Sequence, residues 1–164
     1  MLFVDASTLI LAAKTELLDL FIGASSEQLA ISAEVEKEAT RKNTFDAMLI
    51  RQRIREKQIT VKKVKIKETV KKIQRDFSLH QGEAETIVLC IENNGKAIAT
   101  DDYNAMKACS VLKIEYITIL GILLKSYKDK NLAKNEAKLK LEALAKYGRY
   151  SEDILEDFAK RLEG

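Results

Sequence analysis

Five carboxylates stand where apolar runs begin or end. Asp5 follows LFV, Glu38 lies in SAEVEKEAT, Glu83 opens GEAETIVLC, and Asp101 and Asp102 follow AIAT. Clustered carboxylates repel one another, so a site built from them calls for a cation. Mg²⁺ and Mn²⁺ suit all-oxygen sites and keep several waters. Such an ion activates water and neutralises charge on a phosphodiester. Competing chemistries lack their parts. The single histidine, His80, excludes a multi-histidine zinc site within one chain. There is no G-x-S-x-G, Walker A or G-x-G-x-x-G sequence. An aspartyl phosphatase expects a second aspartate two residues after the first. Here Asp5 is followed by Ala6 and Ser7.

The acids are spread along the chain, so the fold must gather them. Apolar spacing predicts a strand at residues 2–4 and one helix over residues 7–21, capped by Ser7 or Thr8. A strand at 29–32 comes next. Two helices then fill 33–57, broken near Asn43 and Thr44, before a strand at 59–64. A helix at 67–77, a loop at 78–82 and a helix at 83–93, stopped by Asn94 and Gly95, lead to a strand at 97–100. Asp101 and Asp102 open a helix that runs to Leu112, and a strand at 115–117 closes the alternation. Strands alternating with helices indicate an α/β fold with a parallel sheet. In such sheets the carboxyl ends of the strands form the ligand crevice, which brings Asp5 to Asp101 and Asp102. On its helix Glu83 shares the inward arc of Ile87 and Cys90, whereas Glu85 turns outward with Glu92. An acid in a first turn is also favoured by the helix dipole alone. Geometry does not choose Glu38 over Glu36, nor Asp101 over Asp102.

FVDAS, V-E-K-E, GEAETIVLC and ATDDYNAMKAC, in that order, resemble the four-motif pattern of PIN-domain ribonucleases. The TDDYNAMKACSVLKIEYI stretch is similar to archaeal PIN proteins that include ribosome-maturation endonucleases. GEAETIVLC and the helical tail look more like the archaeal toxin-like (VapC-like) group. The resemblance implies a PIN-like three-layer fold, with a mostly parallel sheet between helices. It also implies a carboxylate site for one or two Mg²⁺ or Mn²⁺ ions. Carried over by motif, Asp5, Glu83, Asp101 and Asp102 are metal ligands, and Glu38 is a ligand or supporting catalytic acid. Ser7 and Thr100 match the hydroxyls that support the acids. Glu83 stands where many members have aspartate. The implied activity is hydrolysis of RNA to 5′-phosphate and 3′-hydroxyl ends, in a toxin-like or RNA-processing role. The implied partners are RNA, a second copy of the chain as a homodimer, and an antitoxin protein.

The 164 residues fit a nuclease domain over 1–120 and a three-helix extension over 121–164. The extension packs on the domain or on a dimer partner through Leu139, Leu141, Leu144, Ile154, Leu155, Phe158 and Leu162. No apolar run is long enough to span a membrane, and the N-terminus lacks the basic region of a signal peptide. Cys90 and Cys109 read as reduced core residues, and the expected location is cytoplasmic. The net charge of +3 conceals an asymmetry. Residues 51–75 carry eleven Lys and Arg against two acids, a net of +9, which leaves −6 on the rest. This segment is expected to border the crevice and hold an RNA backbone, with Lys62, Lys63, Lys71 and Lys72 as contacts. A solvated lysine-rich surface is the plainer alternative. Tyr103 either packs at its helix start or meets a base, and His80 reads as loop surface. A non-catalytic RNA-binding module on the same fold is the second functional reading.

Overall fold

The computed structural model describes residues 1–164. The chain runs β1 (Leu2–Val4), α1 (Ala6–Lys14), α2 (Leu18–Ala24), β2 (Leu29–Ser32), α3 (Ala33–Thr40), α4 (Phe45–Arg55) and β3 (Ile59–Lys62). It continues through α5 (Lys67–Phe77), α6 (Gln81–Glu92), β4 (Ala97–Ala99), α7 (Tyr103–Leu112) and β5 (Glu115–Ile117). Three helices follow: α8 (Ile119–Lys128), α9 (Lys134–Tyr147) and α10 (Glu152–Glu163). All strand pairings are parallel, in the order β3-β2-β1-β4-β5. The chain therefore winds out from β1 twice, first to β2 and β3 and then to β4 and β5. The winding reverses between β1 and β4, and a crevice opens at the carboxyl ends of such a strand pair.

Helices cover both faces of the sheet, so the inner strands are apolar throughout rather than alternating. Val4, Leu29, Ile31 and Ala99 enter a core of 26 buried residues with α1–α4 and the C-terminal helices. Phe3, Ala30 and Ile98 enter a second core of 14 residues with α5, α6 and α7. The result is the three-layer α/β arrangement expected of a PIN-like chain. The C-terminal helices belong to the first core: Leu141, Leu144 and Leu162 are buried, and Leu155 and Phe158 pack beside them. Leu139 and Ile154 remain 64% and 45% exposed.

The single helix expected over residues 7–21 is two. Glu16 adopts φ 56°, Leu17 N–H donates to Ala12 O, and Glu16 N–H donates to Ala13 O. This is the left-handed stop that satisfies the last carbonyls of a helix. Glycine usually occupies that position, because other residues carry a Cβ penalty there. Here all six left-handed residues are other types: Glu16, Lys57, Ser78, Asn94, Lys113 and Lys130. The break after Lys14 thus carries no glycine signal. The cap of α1 also differs from expectation, since Asp5 rather than Ser7 or Thr8 occupies it.

Candidate active site

Asp5 is the one buried charged residue, 1% exposed at the end of β1. Its N–H donates to Ala99 O at 3.2 Å, which locks it to the neighbouring β4. Its carboxylate caps α1 by accepting Thr8 N–H at 2.9 Å, with Ser7 Oγ at 3.3 Å. Thr100 Oγ1 donates to the second oxygen. Burial pushes the Asp5 carboxyl above its ordinary range. The bonds from Thr100 and Thr8 oppose that shift, and the Asp101 charge adds to it.

Asp101 and Asp102 turn apart. Asp102 caps α7, one oxygen accepting Ala105 N–H at 2.8 Å, while its own N–H donates to Thr100 Oγ1 at 3.2 Å. The other Asp102 oxygen meets no protein donor. Asp101 faces the C-terminal helices, and both its oxygens are engaged. They accept Thr8 Oγ1 at 3.0 Å, Tyr150 OH at 2.9 Å and Ile119 N–H at 3.2 and 3.3 Å. The carboxyl of Asp101 is raised by burial, against these bonds.

Glu83 sits half-buried in the first turn of α6, and its Oε2 accepts His80 N–H at 2.9 Å. Burial raises its carboxyl, the His80 bond lowers it, and the charges of Asp102 and Asp5 raise it again. The charges at the ends of β1 and β4 therefore both reach Glu83 on α6. Glu38, on α3, lies beside Gly82, the residue before Glu83. A Cβ on Gly82 would lie 3.6 Å from Glu38 Oε2, an ordinary contact distance, so that carboxylate lies against the start of α6. The Glu38 side chain accepts no protein hydrogen bond. Glu36 instead lines a shallow depression with Arg51, Ile54 and Arg55 on α4.

The sequence profile of the PIN domain matches residues 1–163, with the C-terminal helices included. The chain belongs to the PIN-domain family. PIN domains are, in general, nucleases, and typically use divalent metals. No curated protein matches the chain.

The PIN acids here supply an all-oxygen donor set in which Asp102 and Glu83 each keep an oxygen free of protein donors. No three His, Cys, Asp or Glu side chains form a ready-made cage around one point. Mg²⁺ does not require one, since it is often bound by one or two carboxylates and keeps its remaining waters. The donor chemistry fits such an ion.

The basic segment is dispersed. Lys62 Nζ donates to Asn93 Oδ1 at 3.1 Å, and Glu92 accepts the N–H groups of Lys65 and Ile66. These contacts are at the C-terminal end of α6, about 15 Å along the helix from Glu83. Arg51 donates to Thr40 O and Lys42 O, and Arg53 is held by Asp19 and Glu56. Lys71 and Lys72 are exposed on α5. A different basic cluster lies beside Glu38, with Asp46 in the same wall. Lys14, Arg41 and Lys42 line a cavity of about 160 Å³ whose wall includes Glu38, and none of the three forms an ion pair. No charge run marks them in the sequence, because they come from the ends of α1 and α3.

Other side chains fall outside the acid cluster or at its rim. Tyr103 is 70% exposed beside Asp102 rather than packed. His80 is exposed. Cys90 and Cys109 are buried and free, with thiols pushed by burial to about 11 and about 12. A larger cavity of about 390 Å³, with Leu2, Phe21, Ile117 and Ile122 in its wall, adjoins the amino ends of β1, β4 and β5. Its position separates it from the acids. Thr8 and Tyr150 were invisible as site residues in the sequence, since each acts by bonding to Asp101. No helix is long and apolar enough to cross a membrane.

Proposed function

We propose that this PIN-domain protein is a Mg²⁺- or Mn²⁺-dependent endoribonuclease. The carrying observation is the convergence of Asp5, Glu83 and Asp102, with the Glu83 carboxyl raised partly by the charges of the other two. These three would hold the ion. Bound there, it supplies Lewis-acid stabilisation of phosphate charge and lowers the pKa of water. Thr100 and Ser7 hold Asp5 in its rotamer, and Thr100 also fixes the Asp102 backbone. Glu38, which accepts no protein hydrogen bond, is the base available to take a proton from the attacking water. In-line attack at phosphorus would then break the bond to the 3′ oxygen, which takes a proton from solvent water as it leaves. The products are 5′-phosphate and 3′-hydroxyl ends. Asp101, bonded to Thr8, Ile119 and Tyr150, has a positioning role in this reading.

Lys14, Arg41 and Lys42 would carry the RNA backbone past Glu38, where a chain of phosphates gains most from uncommitted cations. Lys71 and Lys72 would add a weaker contact on α5. The same reading includes a toxin-like or RNA-processing role, a homodimer and an antitoxin partner. Sedimentation of the purified chain, alone and with co-expressed proteins, tests the last two.

One observation favours a non-catalytic RNA-binding module instead. Asp5 and Asp102 cap helices and Glu83 bonds a helix start, so each has a structural occupation. Labelled single-stranded RNA in Mn²⁺, Mg²⁺ or chelator separates the two. Cleavage that needs metal supports the nuclease. Intact RNA in every buffer, still bound in chelator, supports the module.

A further inference from the structure

The C-terminal helices meet the acid crevice at a single polar point. Tyr150, in the turn between α9 and α10, donates its hydroxyl to Asp101 Oδ1 at 2.9 Å and is half-buried there. Asp101 passes that contact on in two directions. Through its backbone it lies between Thr100 and Asp102, and its N–H donates to Thr8 Oγ1 at 3.0 Å. Through its side chain it accepts Thr8 Oγ1, and Thr8 N–H in turn holds Asp5. The Ile119 N–H at the start of α8 bonds the same carboxylate. Asp101 thus joins the loop that carries Asp102, the first turn that carries Asp5, and the C-terminal extension.

The turn is shaped to deliver that ring. Gly148 has φ −90° and ψ 173°, a conformation open to any residue, so its backbone angles do not require glycine. Space does. A Cβ there would lie 2.4 Å from Tyr150 Cε2 and 2.7 Å from Leu144 O. Any side chain at Gly148 must displace the ring or the end of α9.

We infer that Tyr150 is a positioning residue of the nuclease site, acting through Asp101 to set the Asp5 and Asp102 carboxylates. The inference rests on the nuclease reading above. Groups that bond a metal's own ligands typically change affinity or activity by about 10–100-fold when removed. Tyr150 acts one bond further out, through Asp101, so the lower end of that range is expected. Tyr150→Phe keeps the ring and its packing and removes only the donor. The test is RNA cleavage kinetics with Mn²⁺, together with calorimetric Mn²⁺ binding, on the full chain. The expected result for Y150F is kcat lower by about tenfold, unchanged KM for RNA, weaker Mn²⁺ binding and a melting temperature lower by only a few degrees, the cost of one hydrogen bond. Asp101→Asn should show the same kcat defect, and the double variant should be no worse than either single one, because both break one connection. Gly148→Ala should reproduce the kcat loss from a residue that touches no acid. Wild-type kcat in Y150F, or fully additive losses in the double variant, would overturn the inference. If wild type binds Mn²⁺ without cleaving RNA, the nuclease reading fails and the Mn²⁺ affinities decide. Equal affinities in wild type and Y150F then sink the positioning role. A wild type that neither cleaves nor binds Mn²⁺ contradicts both.

Discussion

The acidic edge and the basic segment make opposite use of sequence. The acids lie far apart in the chain, and the sheet brings them together because parallel strands all end on the same side. The basic residues of 51–75 are contiguous, and the fold scatters them. Arg51 binds the end of α3, Arg53 bridges to Asp19 and Glu56, and Lys62 sits at the far end of α6 from Glu83. Topology collects residues that share a strand end, whereas a linear charge run is divided among helix faces and crossovers. The cations that share a cavity with Glu38, Lys14, Arg41 and Lys42, end α1 or follow α3 and leave no run to read.

The largest effect should come from the buried acid. Asp5→Asn is expected to reduce RNA cleavage by about 10³-fold, as loss of several kcal/mol of metal-derived stabilisation implies. Glu83→Gln and Asp102→Asn should follow within about tenfold of that loss. Single-turnover rates at saturating Mn²⁺ check the order, and a D102N enzyme as active as wild type would break the assignment of Asp102 as the inner acid.

The two basic regions should separate next. Replacing Lys14, Arg41 and Lys42 by glutamine is expected to reduce the slope of log affinity against log salt by about 2, since each lost phosphate contact on a single strand removes about 0.7. Replacing Lys62 and Lys63 should leave the slope unchanged, and replacing Lys71 and Lys72 should change it by about 1 at most. RNA titrations at several salt concentrations in chelator, with cleavage suppressed, measure this. A larger loss from Lys62 and Lys63 would restore the sequence-based placement of the RNA track.

A smaller effect concerns stability. Burial raises the Asp5 carboxyl in the folded chain, so the native state binds that proton more tightly than the unfolded state does. The associated stability is present at low pH and is lost as pH rises through the folded pKa. Metal-free wild type should therefore lose melting temperature relative to Asp5→Asn as pH rises above the ordinary aspartate range of about 4, by about 3 °C for each kcal/mol. Saturating Mg²⁺ should recover the difference in wild type alone. Parallel pH profiles for the two proteins would show that the buried charge is fully compensated by Thr8 and Thr100.

Thr8→Val should cost about 1–3 kcal/mol in urea unfolding, because it leaves the Asp101 N–H without its partner. The Thr8 side chain is itself fully buried.

Much of this was legible in the residues. Strand ends are marked by a change from apolar to acidic type, and helical spacing alone turns Glu83 inward. The PIN resemblance rested on those same positions. What stayed hidden was mediated by long-range hydrogen bonds or by backbone stops without glycine. Asp101 and Asp102 are identical in type and adjacent, and only Thr8, Ile119 and Tyr150 separate their directions. The break after Lys14 depends on Glu16 in the left-handed region, where sequence rules look for glycine or asparagine. Glu38 and Glu36 differ only in what their faces of α3 meet, the start of α6 at Gly82 for one and Arg51 and Arg55 of α4 for the other.

The most direct measurement is the single-turnover rate of RNA cleavage as Mn²⁺ is titrated into wild type and Asp5→Asn. The account predicts saturable, chelator-reversible cleavage by wild type, with 5′-phosphate ends, and almost none by the variant at any Mn²⁺ concentration. Equal rates for the two proteins, or cleavage that persists in chelator, would place the chemistry outside the acidic edge and contradict it.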